Sequence, residues 1–156
     1  MHLTTIPMEE LVKILALQLE NGGRARLVVT GNSMYPMLRH RRDAVWLVPM
    51  TRQPQKRDLI LYQRESGQYV LHRIVTRVRN GEFCCSGDNQ WELEPMTSGQ
   101  IIALVDGFQR NGKAYTGKEM SYRLYVFLWV ALMPVRRPLL ALRRRIGRLR
   151  TKLRKK

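Results

Sequence analysis

The sequence predicts a mainly β domain that carries an amphipathic helix at its N-terminus and helices at its C-terminus. Six runs rich in β-branched and aromatic residues lie between residues 24 and 109, and turn signals separate them. The dipeptide Asn80-Gly81 between two of these runs is typical of a two-residue β-hairpin. Because hairpins join neighbouring antiparallel strands, we expect a mainly antiparallel sheet.

Three regions follow from these patterns in a chain whose 156 residues suggest one domain. Residues 1–23 contain the amphipathic helix, since Leu11, Ile14 and Leu15 follow helical spacing and Asn21-Gly22-Gly23 ends the pattern. Residues 24–117 form the β-rich domain, and residues 118–156 form an apolar and then basic amphipathic helical region. The predicted strands cover residues 24–30, 44–48, 58–63, 69–79, 82–86 and 101–109.

The turn at residues 28–38 combines a serine with residues that restrict the backbone. Gly31 permits conformations barred to other residues and Pro36 fixes its own φ, so Ser33 is expected at a rigid turn after the first strand. A catalytic nucleophile needs such a fixed position. The alternative is that Ser33 caps a short helical turn starting at Met34, and this stretch alone does not decide between the two.

Two later segments supply a base and an acid in a suggestive order. His72 lies in a run where it shares a strand face with Val70 and Ile74. A histidine on such an apolar face is more often a packed core residue than a catalyst. Asp88 follows in Gly87-Asp88-Asn89, which by itself is an ordinary turn signal.

Together these segments resemble the sequence boxes of signal peptidases, specifically the endoplasmic-reticulum and archaeal branch. The matching segments are Ser33-Met34-Tyr35-Pro36, His72-Arg73-Ile74-Val75, Gly87-Asp88-Asn89 and Arg57-Asp58-Leu59-Ile60-Leu61. The resemblance covers residues 28–105. It implies a partly closed antiparallel β-fold and a serine endopeptidase that cleaves a leader or signal-type peptide.

The resemblance also implies a role for each matching residue. Ser33 is the nucleophile, His72 the general base, and Asp88 the carboxylate that orients the imidazole. The position two residues before the serine is Gly31, similar to the box of SOS-repressor autopeptidases, which implies backbone N–H groups as oxyanion donors. The residues expected to form this oxyanion-supporting turn are Gly31, Asn32, Met34 and Pro36.

Two other side chains bear on the chemistry. The resemblance implies a second acidic residue a few positions after Gly87-Asp88-Asn89. Glu94 matches that position better than Glu92 and is a possible accessory acid, and the alternative is that Glu94 is a surface glutamate. Bacterial signal peptidases use a buried lysine as the base. Lys56 is the sole lysine between Ser33 and Asp88, and because its polar loop would not desolvate the amine, we do not expect a Ser-Lys site.

We expect no cofactor and no metal. His2, His40 and His72 lie far apart in the sequence without ligand spacing. The adjacent Cys84 and Cys85 suit a reducing compartment. The first 20 residues lack the features of a secretory signal, so we expect a cytoplasmic protein.

Positive charge is concentrated at the C-terminus. The net charge is +16, and residues 136–156 hold 11 basic and no acidic residues. The apolar run at residues 124–135 is too short to span a bilayer, so we expect peripheral contact with the anionic inner face of a membrane. The alternative is a core helix packed on the β domain. The predicted membrane-contact residues are Leu124, Phe127, Trp129, Arg136, Arg137, Arg143, Arg144 and Arg145.

Two further functions compete with the peptidase, whose expected partner is a peptide or protein with a leader segment. One is a non-catalytic β domain whose basic tail binds an anionic membrane or nucleic acid, with Ser33 and His72 merely structural. Nucleic acid is not expected, because aromatic residues do not interleave the tail. The other is a self-cleaving repressor, which needs a DNA-reading helical domain that about 30 residues before the serine cannot form.

Overall fold

The computed structural model describes residues 8–20, 22–77 and 81–142. Helix α1 (Met8–Glu20) precedes eight strands. Helix α2 (Met120–Ala131) follows them, and the described part of helix α3 covers residues 136–142. The strands are β1 (Ala25–Val28), β2 (Ala44–Val48), β3 (Leu59–Gln63), β4 (Tyr69–Arg77), β5 (Glu82–Ser86), β6 (Glu94–Thr97), β7 (Ile101–Arg110) and β8 (Lys113–Tyr115).

All eight strands belong to one antiparallel sheet. Its order is β1-β2-β7-β3-β4-β5-β6, and β8 pairs with β7. The mainly β class expected from the sequence is confirmed. The sheet is open rather than partly closed, because the edge strands β1 and β6 do not pair with each other in the described chain.

The predicted strands match six of the observed ones, and the two others were missed for physical reasons. Strand β6 is a short edge strand containing Pro95, and among the described strands it pairs with β5 alone. Strand β8 has three residues and pairs with the end of β7. Short edge strands bury few side chains, so their sequences carry little alternation.

Apolar side chains are buried on both faces of the sheet. On one face, α1 and the loop that carries the serine pack on the sheet through Leu15, Leu19 and Met34. On the other, Ile60, Ile74 and other apolar side chains of β3 to β7 form a second cluster. This second cluster consists of Ile60, Tyr62, Val70, Ile74, Phe83, Cys85, Met96, Ile101 and Leu104.

Helix α2 combines a packed side with an exposed one. Val126 and Val130 pack against Val75 of β4, which supports the core-helix alternative for this side. Leu124 and Phe127 are about half exposed, at 56% and 49%. Within the described residues no single helix is long and apolar enough to cross a membrane. Only α2 and Met133–Leu142 together satisfy the length and composition, with a 60° bend between them.

Candidate active site

The loop that carries Ser33, residues 29–43, is closed at its base by hydrogen bonds. The N–H of Val29 donates to the carbonyl of Asp43 at 2.9 Å, and the N–H of Arg41 donates back to Val29 at 2.8 Å. The fully buried Asp43 carboxylate accepts further bonds from Arg42 and from the N–H of Asn111. Burial would raise the pKa of Asp43, but these hydrogen bonds outweigh it and lower the pKa. The loop is therefore anchored to the sheet by an ionised carboxylate.

The turn before the serine has the backbone that the sequence predicts, with one correction. Gly31 adopts φ +82°, a left-handed conformation that favours glycine. Its N–H, however, donates to Nδ1 of His40 at 2.8 Å and is not free for an oxyanion. Within the described chain no hydrogen bond engages the N–H of Ser33 or Met34. The N–H groups of Ser33 and Met34, rather than the N–H of Gly31, are therefore the ones available to an oxyanion.

The remaining residues of this turn have structural roles. The side chain of Met34 is buried in the core, and the carbonyl of Asn32 accepts the N–H of Tyr35 at 3.2 Å. Pro36 follows Tyr35 through a cis peptide bond. The Met34 carbonyl accepts the N–H of Leu38 at 2.9 Å. These contacts fix the backbone on the C-terminal side of Ser33.

The Gly-Asp-Asn turn packs directly on the serine. The N–H of Asn89 donates to the carbonyl oxygen of Ser33 at 2.7 Å. A side chain at Gly87 would bring its Cβ to 2.6 Å from the same oxygen, so this close approach requires glycine. Two segments 54 positions apart, at Ser33 and Gly87, thus form one unit.

His72 lies on β4 opposite Ile60 and is only 2% exposed. Its Nδ1 atom is 3.3 Å from the hydroxyl of Tyr62 and 3.8 Å from Oε2 of Glu94. Burial lowers the pKa of His72 to about 4, although the Glu94 carboxylate acts in the opposite direction. The imidazole is therefore neutral near pH 7, with Nδ1 directed to Tyr62 and Glu94.

Glu94, the possible accessory acid, faces this histidine from β6. Both of its carboxylate oxygens accept hydrogen bonds from the guanidinium of Arg64. The Arg64 bonds lower the pKa of Glu94, so the carboxylate is ionised beside the ring. Tyr62 and Arg64 were missed by the sequence analysis. Tyr62 follows from the pairing of β3 with β4, because Ile60 pairs with His72 and Tyr62 lies two residues after Ile60 on the same face of β3.

Asp88 does not contact the imidazole, so the expectation that it orients His72 is not met. Its two oxygens accept hydrogen bonds of 3.0 Å each from Nε and Nη2 of Arg73. The hydroxyl of Tyr125 donates to Oδ2 at 3.0 Å. His72 and Arg73 are consecutive on β4 and therefore point to opposite faces of the sheet. Asp88 belongs to the face of Arg73, and Glu94 to the face of His72.

Helices α2 and α3 hold the Gly-Asp-Asn turn from outside. The indole N–H of Trp129 donates to the carbonyl of Asp88 at 2.9 Å. Nη1 of Arg136 donates to the carbonyls of Gly87 and Gln90 at 3.3 and 3.2 Å. Arg136 is 1% exposed, because these contacts bury it completely.

The membrane-contact residues predicted from the sequence therefore need correction. Trp129 and Arg136 face the domain and bind the turn, because their donors satisfy its carbonyl groups. Leu124, Phe127 and Arg137 are exposed, as peripheral contact would require. Arg143, Arg144 and Arg145 lie outside the described residues.

Ser33 and His72 line the same pocket, whose volume is about 360 Å³. Both belong to the described chain, and no hydrogen bond joins the Ser33 hydroxyl to the ring. Free enzymes often hold such pairs apart until substrate binds. The other residues that line the pocket of Ser33 and His72 include Leu27, Val28, Leu61, Arg64, Gln68, Tyr69, Leu71 and Gln90. Lys56 lines a different pocket, which agrees with the exclusion of a Ser-Lys site.

Among the described residues, no group of three or more His, Cys, Asp or Glu side chains is placed to hold a metal ion. A comparison of the chain with protein-family models finds no match, and neither does a comparison with curated proteins.

Proposed function

We propose that the protein is a serine endopeptidase resembling the Ser-His signal peptidases and that it cleaves a leader or signal-type peptide. The observation that supports this most is the shared pocket of Ser33 and His72. A buried, neutral imidazole is a proton acceptor at neutral pH. Because Nδ1 is directed to Tyr62 and Glu94, Nε2 is the nitrogen left for the serine.

The chemistry follows from this arrangement. When a peptide bond enters the pocket, Nε2 of His72 takes the hydroxyl proton as Ser33 Oγ bonds to the carbonyl carbon. The Ser33 N–H donates to the oxyanion. The imidazolium, stabilised by the Glu94 carboxylate, then gives its proton to the leaving amine as the C–N bond breaks. A water molecule hydrolyses the acyl-serine by the same proton transfers.

The peptide substrate is proposed to bind in an extended form beside β1. Strand β1 pairs with β2 alone among the described strands, so one of its edges is unpaired. Leu27 and Val28 of this strand line the pocket. An extended peptide can add to such an edge through main-chain hydrogen bonds and present its scissile carbonyl to Ser33.

Covalent labelling with a fluorophosphonate probe tests the nucleophile. We expect the label on Ser33, its loss in Ser33→Ala, and normal labelling in the control Ser66→Ala, whose serine is exposed away from the pocket. Cleavage of a leader peptide should follow the same pattern. Absence of both labelling and cleavage in the folded protein would favour the non-catalytic β domain.

We also propose peripheral contact with an anionic membrane as the setting for this activity. The support is the exposed apolar side of α2 and α3, next to a strongly basic C-terminus. The exposed apolar residues are Met120, Leu124, Phe127, Leu128, Leu132, Val135, Leu139 and Leu142.

Sedimentation with phosphatidylglycerol vesicles tests this contact. Because Arg136 and Leu140 are buried, the tail should be removed from residue 143 onward. We expect binding to fall in this truncated protein and at high salt, since screening weakens charge attraction. Equal binding to neutral vesicles would contradict the proposal.

A further inference from the structure

A second pocket, larger than the pocket of Ser33 and His72, is separate from it. Its volume is about 720 Å³, within the range that small-molecule sites occupy. It lies between α2 and the segments that lead into β3 and out of β8. None of the residues that line the pocket of Ser33 lines this one.

The charge around this larger pocket is unbalanced. Asp58 is bound by Arg52 at 2.6 and 2.9 Å, and Asp106 is bound by Arg24 at 2.8 Å, so both acids are already paired. Four other basic residues line the pocket, and none of them has a carboxylate partner within the described chain. They are Lys56, Arg57, Lys118 and Arg123.

The pocket that these four cations line also has an apolar surface. Leu59, Phe108 and Val126 form its buried part, and the exposed Leu124 and Phe127 extend it along α2. The guanidinium of Arg57 lies over the ring of Phe127, 4.8 Å from its centroid. Cationic groups and apolar side chains in one pocket match a ligand that has an anionic head and a hydrocarbon chain.

We propose that this pocket binds one anionic phospholipid. The phosphate contacts Lys56, Arg57, Lys118 and Arg123, and an acyl chain lies against Leu59, Phe108 and the exposed side of α2. The continuity of the pocket with the exposed apolar residues Leu124 and Phe127 favours a lipid over an acidic peptide. This inference deepens the proposed membrane contact and does not depend on the peptidase activity.

Titration of the full-length protein with monomeric dihexanoyl phosphatidylglycerol tests the pocket in solution, without a membrane surface. Lys56→Gln/Lys118→Gln should weaken this binding about 30-fold, since each basic residue near an anionic group contributes about a fivefold change in affinity. The matched control is Lys13→Gln/Lys113→Gln, which removes two exposed lysines outside the pocket. It should bind as the wild type does.

Each other outcome would overturn the proposal. An equal loss in both double variants would show general charge attraction. Equal affinity for dihexanoyl phosphatidylcholine would remove the role of the cations. Equal affinity for inorganic phosphate would indicate a free-anion site, and stronger binding of a glutamate-rich peptide would indicate an acidic polypeptide. If dihexanoyl phosphatidylglycerol did not bind but the protein still sedimented with phosphatidylglycerol vesicles, the tail would remain as the membrane contact. The two proposals are therefore separable.

Discussion

The guanidinium of Arg73 holds the carboxylate of Asp88 through two hydrogen bonds of 3.0 Å, and both side chains are buried. Asp88 belongs to the turn that packs on Ser33, in which the N–H of Asn89 donates to the serine carbonyl. The turn of Asp88 thus contacts the serine through the backbone, whereas Asp88 itself pairs with Arg73 and not with the histidine. Its proposed role is positioning, and Glu94 lies beside His72, the proposed base.

Replacement of Asp88 by asparagine is expected to destabilise the fold strongly. The change would leave the buried Arg73 guanidinium without its counter-charge, which costs about 3–5 kcal/mol. The control Asp106→Asn removes an exposed carboxylate paired with Arg24 and should cost about 1 kcal/mol or less. Denaturant unfolding measures both. A stable but inactive Asp88→Asn protein would instead support a direct role with His72.

Nucleophile and base are expected to act as one unit. Ser33→Ala and His72→Ala should each abolish most cleavage of a leader peptide, and the double variant should lose little more. The measurement is kcat/KM for the three variants, with circular dichroism to verify folding. Near-normal turnover by His72→Ala would mean that another group accepts the serine proton.

Glu94→Gln is expected to lower kcat about 10- to 100-fold while KM changes little, because the carboxylate orients and stabilises the imidazolium. Since Glu94 also raises the pKa of His72, its loss should move the acidic limb of the pH profile further down. A merely structural residue would not shift that limb. The matched control Glu92→Gln changes an exposed glutamate two positions away and should leave both quantities unchanged.

The activity is expected to persist at unusually acidic pH. Catalysis needs neutral His72, and burial lowers its pKa to about 4, so kcat/KM should fall only as pH drops towards that value. At pH 5 a histidine with an ordinary pKa of about 6.5 would be neutral about 3% of the time. A profile measured where the protein stays folded decides this. A limb near pH 6.5 would show that the ring is more solvated than its position on β4 indicates.

The fold was largely accessible from the sequence because its signals are local. Alternation and turn residues located six strands, and Gly31 was recognised from the backbone freedom that its turn requires. Strand β6 escaped because Pro95 and its short length remove the alternating pattern. That omission also obscured the position of Glu94 next to His72, which depends on the pairing of β6 with β5.

The assignment of the orienting acid failed for a similar reason. Order along the chain places Asp88 just after a strand that neighbours the strand of His72, and the pairing of β4 with β5 is as expected. Pairing alone does not say which face a side chain takes. Because Arg73 rather than His72 shares its face with Asp88, the carboxylate pairs with the guanidinium of Arg73 and not with the imidazole. The same limit applies to Trp129 and Arg136, because a segment of mixed apolar and basic residues does not reveal which side chains face the domain.

Arg136 is expected to position the turn that supports Ser33, and Arg136→Met tests this. The variant removes the donor of the Gln90 carbonyl and one donor of the Gly87 carbonyl, which keeps the N–H of Gln90, and the loss costs about 1–3 kcal/mol for a buried group. The turn should loosen more than the rest of the domain. Amide hydrogen exchange at Asn89, whose N–H binds the Ser33 carbonyl, should therefore accelerate, and kcat should fall beyond the fraction of protein unfolded.

The neighbouring Arg137 supplies the matched control, because it is exposed and carries the same charge. Arg137→Met should leave exchange at Asn89 and kcat as in the wild type, while it weakens vesicle binding. Arg136→Met should show the reverse, since its guanidinium is buried and cannot reach a membrane. If the two variants behaved alike, Arg136 would act only through net charge, and the helices after β8 would not position the serine.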